Sequence, residues 1–291
     1  MTERNGDGRA AEVAPEAPPG VDLEKPSPAR IYDWYLGGNQ NWAVDREFGR
    51  RIIQLWPYAK DGSRHNRQFM NRAVRAALDA GIRQFIDLGS GVPTVGNVHE
   101  VVREHLPEHE RGRVVYVDYE EVAAAHARLI LEREGATGWA TLIRHDMRDA
   151  AGILRHPDTR RLIDFDQPVC LLMVAVLHFV GPDDGPHEII RAYLDKLCPG
   201  SWLVLSHMTC PDDPEQAEGV LRFAEQYKST ANPVWLRQPE EIAGWFQGLN
   251  LLDPGITHLT DWRPEVDPAT LPQPEAEARP FAWCGVAEKP A

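Results

Sequence analysis

Between residues 27 and 80, apolar side chains recur at helical spacing. Ser27 can cap a helix and Pro28 suits its first position, with Ile31, Trp34 and Tyr35 following at i, i+3 and i+4. This helix stops at Gly37-Gly38. A second helix is predicted from about Ala43 to Trp56, ending before Pro57, and a third from about Arg64 to Ala80, carrying Phe69, Val74 and Leu78 and stopping at Gly81. Beyond Gly81 the period changes. Short apolar runs at Gln84–Leu88, Arg113–Val117, Thr141–Arg144, Val169–Val174 and Ser201–His207 alternate with amphipathic stretches at Thr94–Leu106, Val122–Glu134, Ala151–Leu154 and Gly185–Leu197.

Strands separated by helices imply parallel βαβ units and a three-layer architecture. Two further helices, Pro214–Tyr227 and Pro239–Leu249, precede the apolar stretches Gly255–Leu259 and Phe281–Ala287, which read as a closing hairpin joined by an exposed Pro- and acid-rich connection. The expected fold is α/β: a doubly wound, mostly parallel seven-stranded sheet with extra N-terminal helices and an antiparallel C-terminal strand. Its ligand should lie beyond the carboxyl ends of the strands. Residues 1–26, with Pro15, Pro18, Pro19 and Pro26 and few large apolar groups, read as a disordered tail. Residues 27–82 form a helical lid and 83–291 the main domain, with 27–291 as one compact unit.

Composition narrows the function. The 31 basic and 44 acidic residues among 291 give a formal charge of −13, a mean field that repels nucleic-acid backbones. The longest apolar run, Val169–Val180, is interrupted by His178 and is too short to span a bilayer as a helix. Cys170, Cys198, Cys210 and Cys284 have neither C-x-x-C spacing nor the density of a disulfide framework, which points to the cytoplasm. His99, Glu100 and His105 form no convincing zinc set, so no metal is expected. G-x-S-x-G and Walker A sequences are absent.

The strongest chemical signal is Phe85-Ile86-Asp87-Leu88-Gly89-Ser90-Gly91-Val92-Pro93-Thr94, at the end of the first predicted strand. Gly89 and Gly91 permit a tight turn and close approach of a ligand to the following helix. Thr94 leaves the dinucleotide fingerprint G-x-G-x-x-G incomplete. Asp87 disfavours a pyrophosphate and attracts an ammonium or sulfonium, and S-adenosylmethionine carries both. Asp118, at the end of the second predicted strand, can accept ribose hydroxyls, which suits NAD as well. After the third, Asp146 can accept from an adenine amino group and Met147 can cover the ring. Each acid singly is as much a turn cap as a ligand; together with the glycine turn they favour binding.

Residues 27–42 (SPARIYDWYLGGNQNW), 65–74 (HNRQFMNRAV), 85–100 (FIDLGSGVPTVGNVHE) and 174–180 (VAVLHFV) resemble the S-adenosyl methyltransferase family, once catalogued as a domain of unknown function and common in actinobacteria. The resemblance implies a class I methyltransferase, a Rossmann-like fold, over about 27–287. It also implies that Gly89, Gly91, Asp118 and Asp146 meet S-adenosyl-L-methionine; Ser90, Tyr119, Val174 and Ala175 are assigned to the same set. Pro93 replaces the third glycine of the general methyltransferase pattern, a departure common in this family. The acceptor is not implied.

Tyr32, Asp33, Tyr35 and Asn41 surround Gly37-Gly38 and can fold over the crevice, with Tyr32 and Gly37 at the cofactor. Arg67 can bind a cofactor carboxylate bidentately. Methyl transfer needs chiefly positioning, and a base only where the acceptor loses a proton. His178, just beyond the fourth strand, is the candidate base, and His207 a second. The expected partner is a small-molecule methyl acceptor, with neither nucleic acid nor membrane. The alternatives are a non-catalytic S-adenosylmethionine-binding protein and an NAD-dependent oxidoreductase.

Overall fold

Strands buried on both faces read as continuous apolar runs, and side chains one residue apart point to opposite layers. The computed structural model, which describes residues 23–93, 96–107, 109–228 and 232–291, follows that rule. Parallel strands β1 (Gln84–Leu88), β2 (Arg113–Asp118), β3 (Ala140–Arg144), β4 (Val169–Val174) and β5 (Trp202–Met208) form the centre of the sheet. Phe85, Cys170, Leu172 and Val204 face one apolar layer, while Ile86, Leu88, Leu171, Met173 and Leu205 face the other. Two short strands, β6 (Asn250–Leu251) and β7 (Thr257–His258), and the long β8 (Ala282–Glu288) complete an eight-stranded sheet of order β3-β2-β1-β4-β5-β8-β6, with β7 paired to β8. β8 runs antiparallel to β5, from Trp202 opposite Glu288 to Met208 opposite Ala282. The order reverses between β1 and β4, which places a switch point at their carboxyl ends.

The helices are α1 (Pro28–Tyr35), α2 (Ala43–Leu55), α3 (Ala59–Asp79), α4 (Val98–His105), α5 (Glu121–Arg133), α6 (Ala150–Arg155), α7 (Pro157–Leu162), α8 (Pro186–Leu194), α9 (Pro214–Lys228), α10 (Pro239–Gly244) and α11 (Gln273–Ala278). α3, α4 and α5 cover one face of the sheet, and α6, α7, α8 and α10 the other. α1, α2 and α9 build a third apolar cluster with Phe281, next to β8.

Several elements differ from the sequence expectation. β6 raises the strand count from seven to eight, and the closing hairpin survives as β7 against β8. α7 and α11 were not expected. Each is six residues long, too short for helical periodicity to register; α7 starts on a His156 cap followed by Pro157, and α11 lies against α3, where Glu275 comes 3.6 Å from His65. α3 begins at Ala59 rather than Arg64, and α10 stops at Gly244. The tail lies outside the described residues as far as residue 22. Among the described residues, no helix is long and apolar enough to cross a membrane.

A buried ion pair ties the first helices together. Arg30 Nε lies 2.9 Å from Asp45 Oδ2, and the two side chains are 2% and 0% exposed. Asp45 also accepts from the backbone N–H groups of Ser27 (3.0 Å) and Trp42 (2.9 Å), so it caps α2 and holds the start of α1 at once. Removing one member of such a pair leaves a charge uncompensated in the core. Arg30→Ala should therefore cost about 3 kcal/mol or more of unfolding free energy. Urea titration followed by tryptophan fluorescence measures this, and a loss under about 1 kcal/mol, the range of a surface pair, would show that the pair does not fasten the segment.

Candidate functional site

The tip of β1 turns through two left-handed glycines, Gly89 (φ 69°) and Gly91 (φ 66°). At Gly89 the turn leaves no room for a side chain, because a Cβ there would fall 2.1 Å from Val176 Cγ2. The N–H groups of Gly89 and Ser90 donate to Val117 O at 2.8 and 3.2 Å. Asp118 completes the fastening: its Oδ2 accepts from Gly91 N and its Oδ1 from Glu120 N, both at 2.8 Å. Burial pushes the Asp118 carboxyl up, opposed by those N–H donors and by that of Tyr119.

Above this turn opens a cavity of about 670 Å³, within the usual range for small-molecule sites, roughly 300–1,000 Å³. It is lined by the tips of β1, β2, β4 and β5, the loop after β3, and residues of α1, α3 and α9. Of the residues singled out from sequence, Tyr32, Arg67, Asp87, Gly89, Ser90, Gly91, Asp118, Tyr119, Asp146, Met147, Val174, Ala175 and His178 all face it. Gly37 does not. It sits at φ 82° in the turn closing α1, its N–H on Trp34 O, and the adjacent Gly38 packs against Asp33. Asp33 and Asn41 likewise face one another (2.7 Å) rather than the cavity, and burial raises Asp33 to about 6. The helix expected from Thr94 starts at Val98, Thr94 itself lying outside the described residues, and none of α4 lines the cavity.

Asp87 is the electrostatic centre. It is 5% exposed and makes no hydrogen bond or ion pair among the described residues, and burial pushes it to about 7 despite the nearby Arg67 guanidinium. Arg67 lies 5.7 Å from the Tyr32 ring centroid, and its buried Nε has no hydrogen-bond partner among the described residues. Glu120, which sequence reasoning missed, also lines the cavity; burial raises it to about 7, and its buried Oε2 has no hydrogen-bond partner among the described residues although Ser27 bonds the carboxylate. Its only sequence signal is its place two residues beyond Asp118. Both acids hold protons in the folded chain that the unfolded chain releases between the ordinary carboxylate range and pH 7. Each therefore costs stability as pH rises through that window, and a cation bound beside Asp87 relieves the cost.

Asp146 lies in the loop after β3 and is gripped by Arg148, with Nε 3.0 Å from both carboxylate oxygens. This contact holds Asp146 below its ordinary range. Met147 is buried beside it, its carbonyl accepting from Tyr193 OH at 2.6 Å. Tyr119 is exposed and hydrogen-bonds Asn232.

On the opposite wall Ala175 adopts φ 55°, a conformation costly for a residue with a Cβ, and its N–H donates to Ser206 Oγ at 2.9 Å. Ser206 Oγ donates to Asn66 Oδ1 (2.6 Å), Asn66 Nδ2 to Tyr32 OH (3.0 Å), and Tyr32 OH to Ser63 O (3.1 Å). Asn66 and Ser206 were also missed: Asn66 lies inside the HNRQFMN motif, but nothing in the sequence pairs it with a residue 140 positions away.

His178 is 6% exposed, and its Nδ1 is closed off from solvent with no hydrogen-bond partner among the described residues. Burial, followed by His207 and Arg237, holds it well below the ordinary histidine range, so the candidate base rests as a neutral imidazole. His207 is committed elsewhere. Its Nδ1 meets Met208 O at 2.6 Å and its Nε2 meets Arg237 at 3.0 Å, and burial takes it to about 3. It is a structural neutral imidazole.

The cavity thus gathers the carboxyls of Asp87, Asp118, Glu120 and Asp146 and the guanidinium of Arg67 around one glycine turn. Such a lining suits a ligand that carries cationic and anionic groups together. Comparison with known proteins agrees. The S-adenosyl methyltransferase family model matches residues 14–290. The chain is similar to a proposed methyltransferase from Thermobifida fusca YX (36% identity, TM-score 0.83, covering 94% of this chain and 98% of that one). It is equally similar to a DUF574 family protein from Streptomyces avermitilis MA-4680 (36%, TM-score 0.83, 92% and 99%). An O-methyltransferase family protein from Burkholderia thailandensis shares the fold alone (15%, TM-score 0.50, 84% and 63%). No curated protein matches the chain. The chain belongs to the S-adenosyl methyltransferase family, whose methyl donor is S-adenosyl-L-methionine.

Proposed function

We propose that this protein transfers the methyl group of S-adenosylmethionine to a small molecule. The observation that carries this reading is the buried Asp87 carboxylate, which makes no hydrogen bond or ion pair among the described residues and stands at the glycine turn with Arg67 nearby. Asp87 attracts the donor's ammonium, Arg67 its carboxylate, and Glu120 with Asp118 the ribose hydroxyls; Asp146 and Met147 border the adenine. Gly89, Ser90, Gly91, Tyr119, Val174 and Ala175 shape the walls, and Tyr32 closes the hollow from α1, the lid expected from sequence.

The bound donor supplies an electrophilic methyl carbon on a sulfonium. The chain contributes position and a dry surround, the larger part of what an in-line displacement needs. His178, which lines the cavity, orients the acceptor through its imidazole and takes its proton during transfer. Burial disfavours a standing imidazolium, yet the positive charge it acquires replaces one that vanishes nearby, so the cavity's net charge is conserved through the step.

Calorimetry with S-adenosylhomocysteine tests the reading, and absence of binding would overturn it. Affinity for S-adenosylmethionine should fall as pH drops below about 7, by up to about tenfold per unit, because a protonated Asp87 no longer meets a cation. Asp87→Asn should weaken binding at pH 8 by about tenfold or more and flatten the acid limb; an unchanged pH profile would mean that another group carries it. With an acceptor in hand, His178→Ala should lower kcat by about 100-fold or more while leaving donor affinity within about twofold. Full turnover in this variant would remove the base assignment.

A further inference from the structure

The two halves of the cavity differ in chemistry. Its charged lining comes from α3 (Arg67), the tips and following loops of β1, β2 and β3 (Asp87, Asp118, Glu120, Asp146, Arg148) and the turn at 182–184. The half beneath α1, α9 and the start of β8 has, among the described residues, no charged side chain. It is built instead from Tyr35, Trp56, Phe179, Phe223, Tyr227 and Phe281. These rings form one surface: Trp56 lies 5.0 Å from Phe223 and 5.2 Å from Phe281, Phe223 4.8 Å from Tyr227, and Phe179 6.4 Å from Tyr227. Burial pushes the Tyr35 and Tyr227 phenols up, so both stay neutral. At the seam stands His178, its ring 4.4 Å from that of Phe179 and its backbone just beyond Val174 and Ala175.

An ionic acceptor placed on this half would lose its hydration and find no counter-charge. A flat aromatic compound gains offset or edge contacts with several rings. An amine acceptor would hold the transferred positive charge where no carboxylate receives it. An aliphatic alcohol is too weak an acid for an imidazole whose cation is disfavoured by burial, whereas a phenol ionises near pH 10 and can give up its proton during transfer.

We propose that the aromatic half is the acceptor subsite and that its occupant is an uncharged, planar aromatic compound methylated on a phenolic oxygen. The proposal rests on the methyl-transfer reading above. In the step, the phenolic oxygen attacks the methyl carbon and its proton passes to the His178 imidazole. The carbon–sulfur electron pair stays on sulfur, which leaves as the neutral thioether, and the imidazolium later returns its proton to water.

The test uses the full chain saturated with S-adenosylhomocysteine and titrated with 1-naphthol, 1-naphthoate or 1-decalol, three probes of one carbon framework size. 1-Naphthol should bind at least about tenfold more tightly than the other two. Phe179→Ala and Phe223→Leu should each weaken it several-fold with the melting temperature of the S-adenosylhomocysteine complex preserved. With S-adenosylmethionine, 1-methoxynaphthalene should form. Equal binding of the naphthoate or decalol, no binding of the naphthol, or indifference of well-folded variants overturns the subsite, and binding without ether formation overturns the phenolic oxygen as acceptor. Failure of S-adenosylhomocysteine itself to bind is a separate result that removes the methyltransferase reading instead.

Discussion

The cavity depends on one carboxylate. Asp118 accepts from Gly91 N with one oxygen and from Glu120 N with the other, so it joins the turn after β1 to the chain leaving β2. Without that bridge the two strand tips are joined only through the Gly89 and Ser90 N–H groups on Val117 O, and the left-handed turn at 89–91 has lost a hydrogen bond that offsets its ordering cost. The packing of Val176 into the space beside Gly89 then brings β4 to the same point. Three strands are thereby registered around a hollow, with Asp87 at its floor.

The central sheet was legible in the sequence because its strands are buried on both faces. Val169–Val174 falls where the apolar run places it, and β1 coincides with Gln84–Leu88. What stayed hidden is set by partners remote in sequence. α11 is held against α3 from about 200 residues away, where an isolated six-residue segment has too little helical propensity to declare itself. Gly37 looked like a ligand-approach glycine because its φ requirement is the same in a helix-closing turn.

The site shows the same division. Residues in the glycine turn and at strand ends were readable, since topology alone brings them to the switch point. Their protonation states were not. His178 carries an ordinary sequence context, and its shift comes from burial and from Arg237, nearly sixty positions on, which also anchors Leu177 O and Val180 O. Asp146 lies at the predicted loop, yet its bidentate partner Arg148 gives it a fixed orientation that no strand-end argument contains. Glu120 and Asn66 acquire meaning only once α1 and α3 are folded over the tips.

The hydrogen-bonded path from Ala175 through Ser206, Asn66 and Tyr32 to Ser63 has a direction. Ser206 receives from Ala175 and gives to Asn66, whose amide gives to Tyr32, whose single hydroxyl hydrogen is already spent on Ser63 O. Tyr32 is left with a lone pair and nothing to donate. The phenol oxygen can therefore accept one further N–H or O–H and has no complement for a bare carbonyl or carboxylate. A phenylalanine in its place would keep the shape of the roof and erase that polarity.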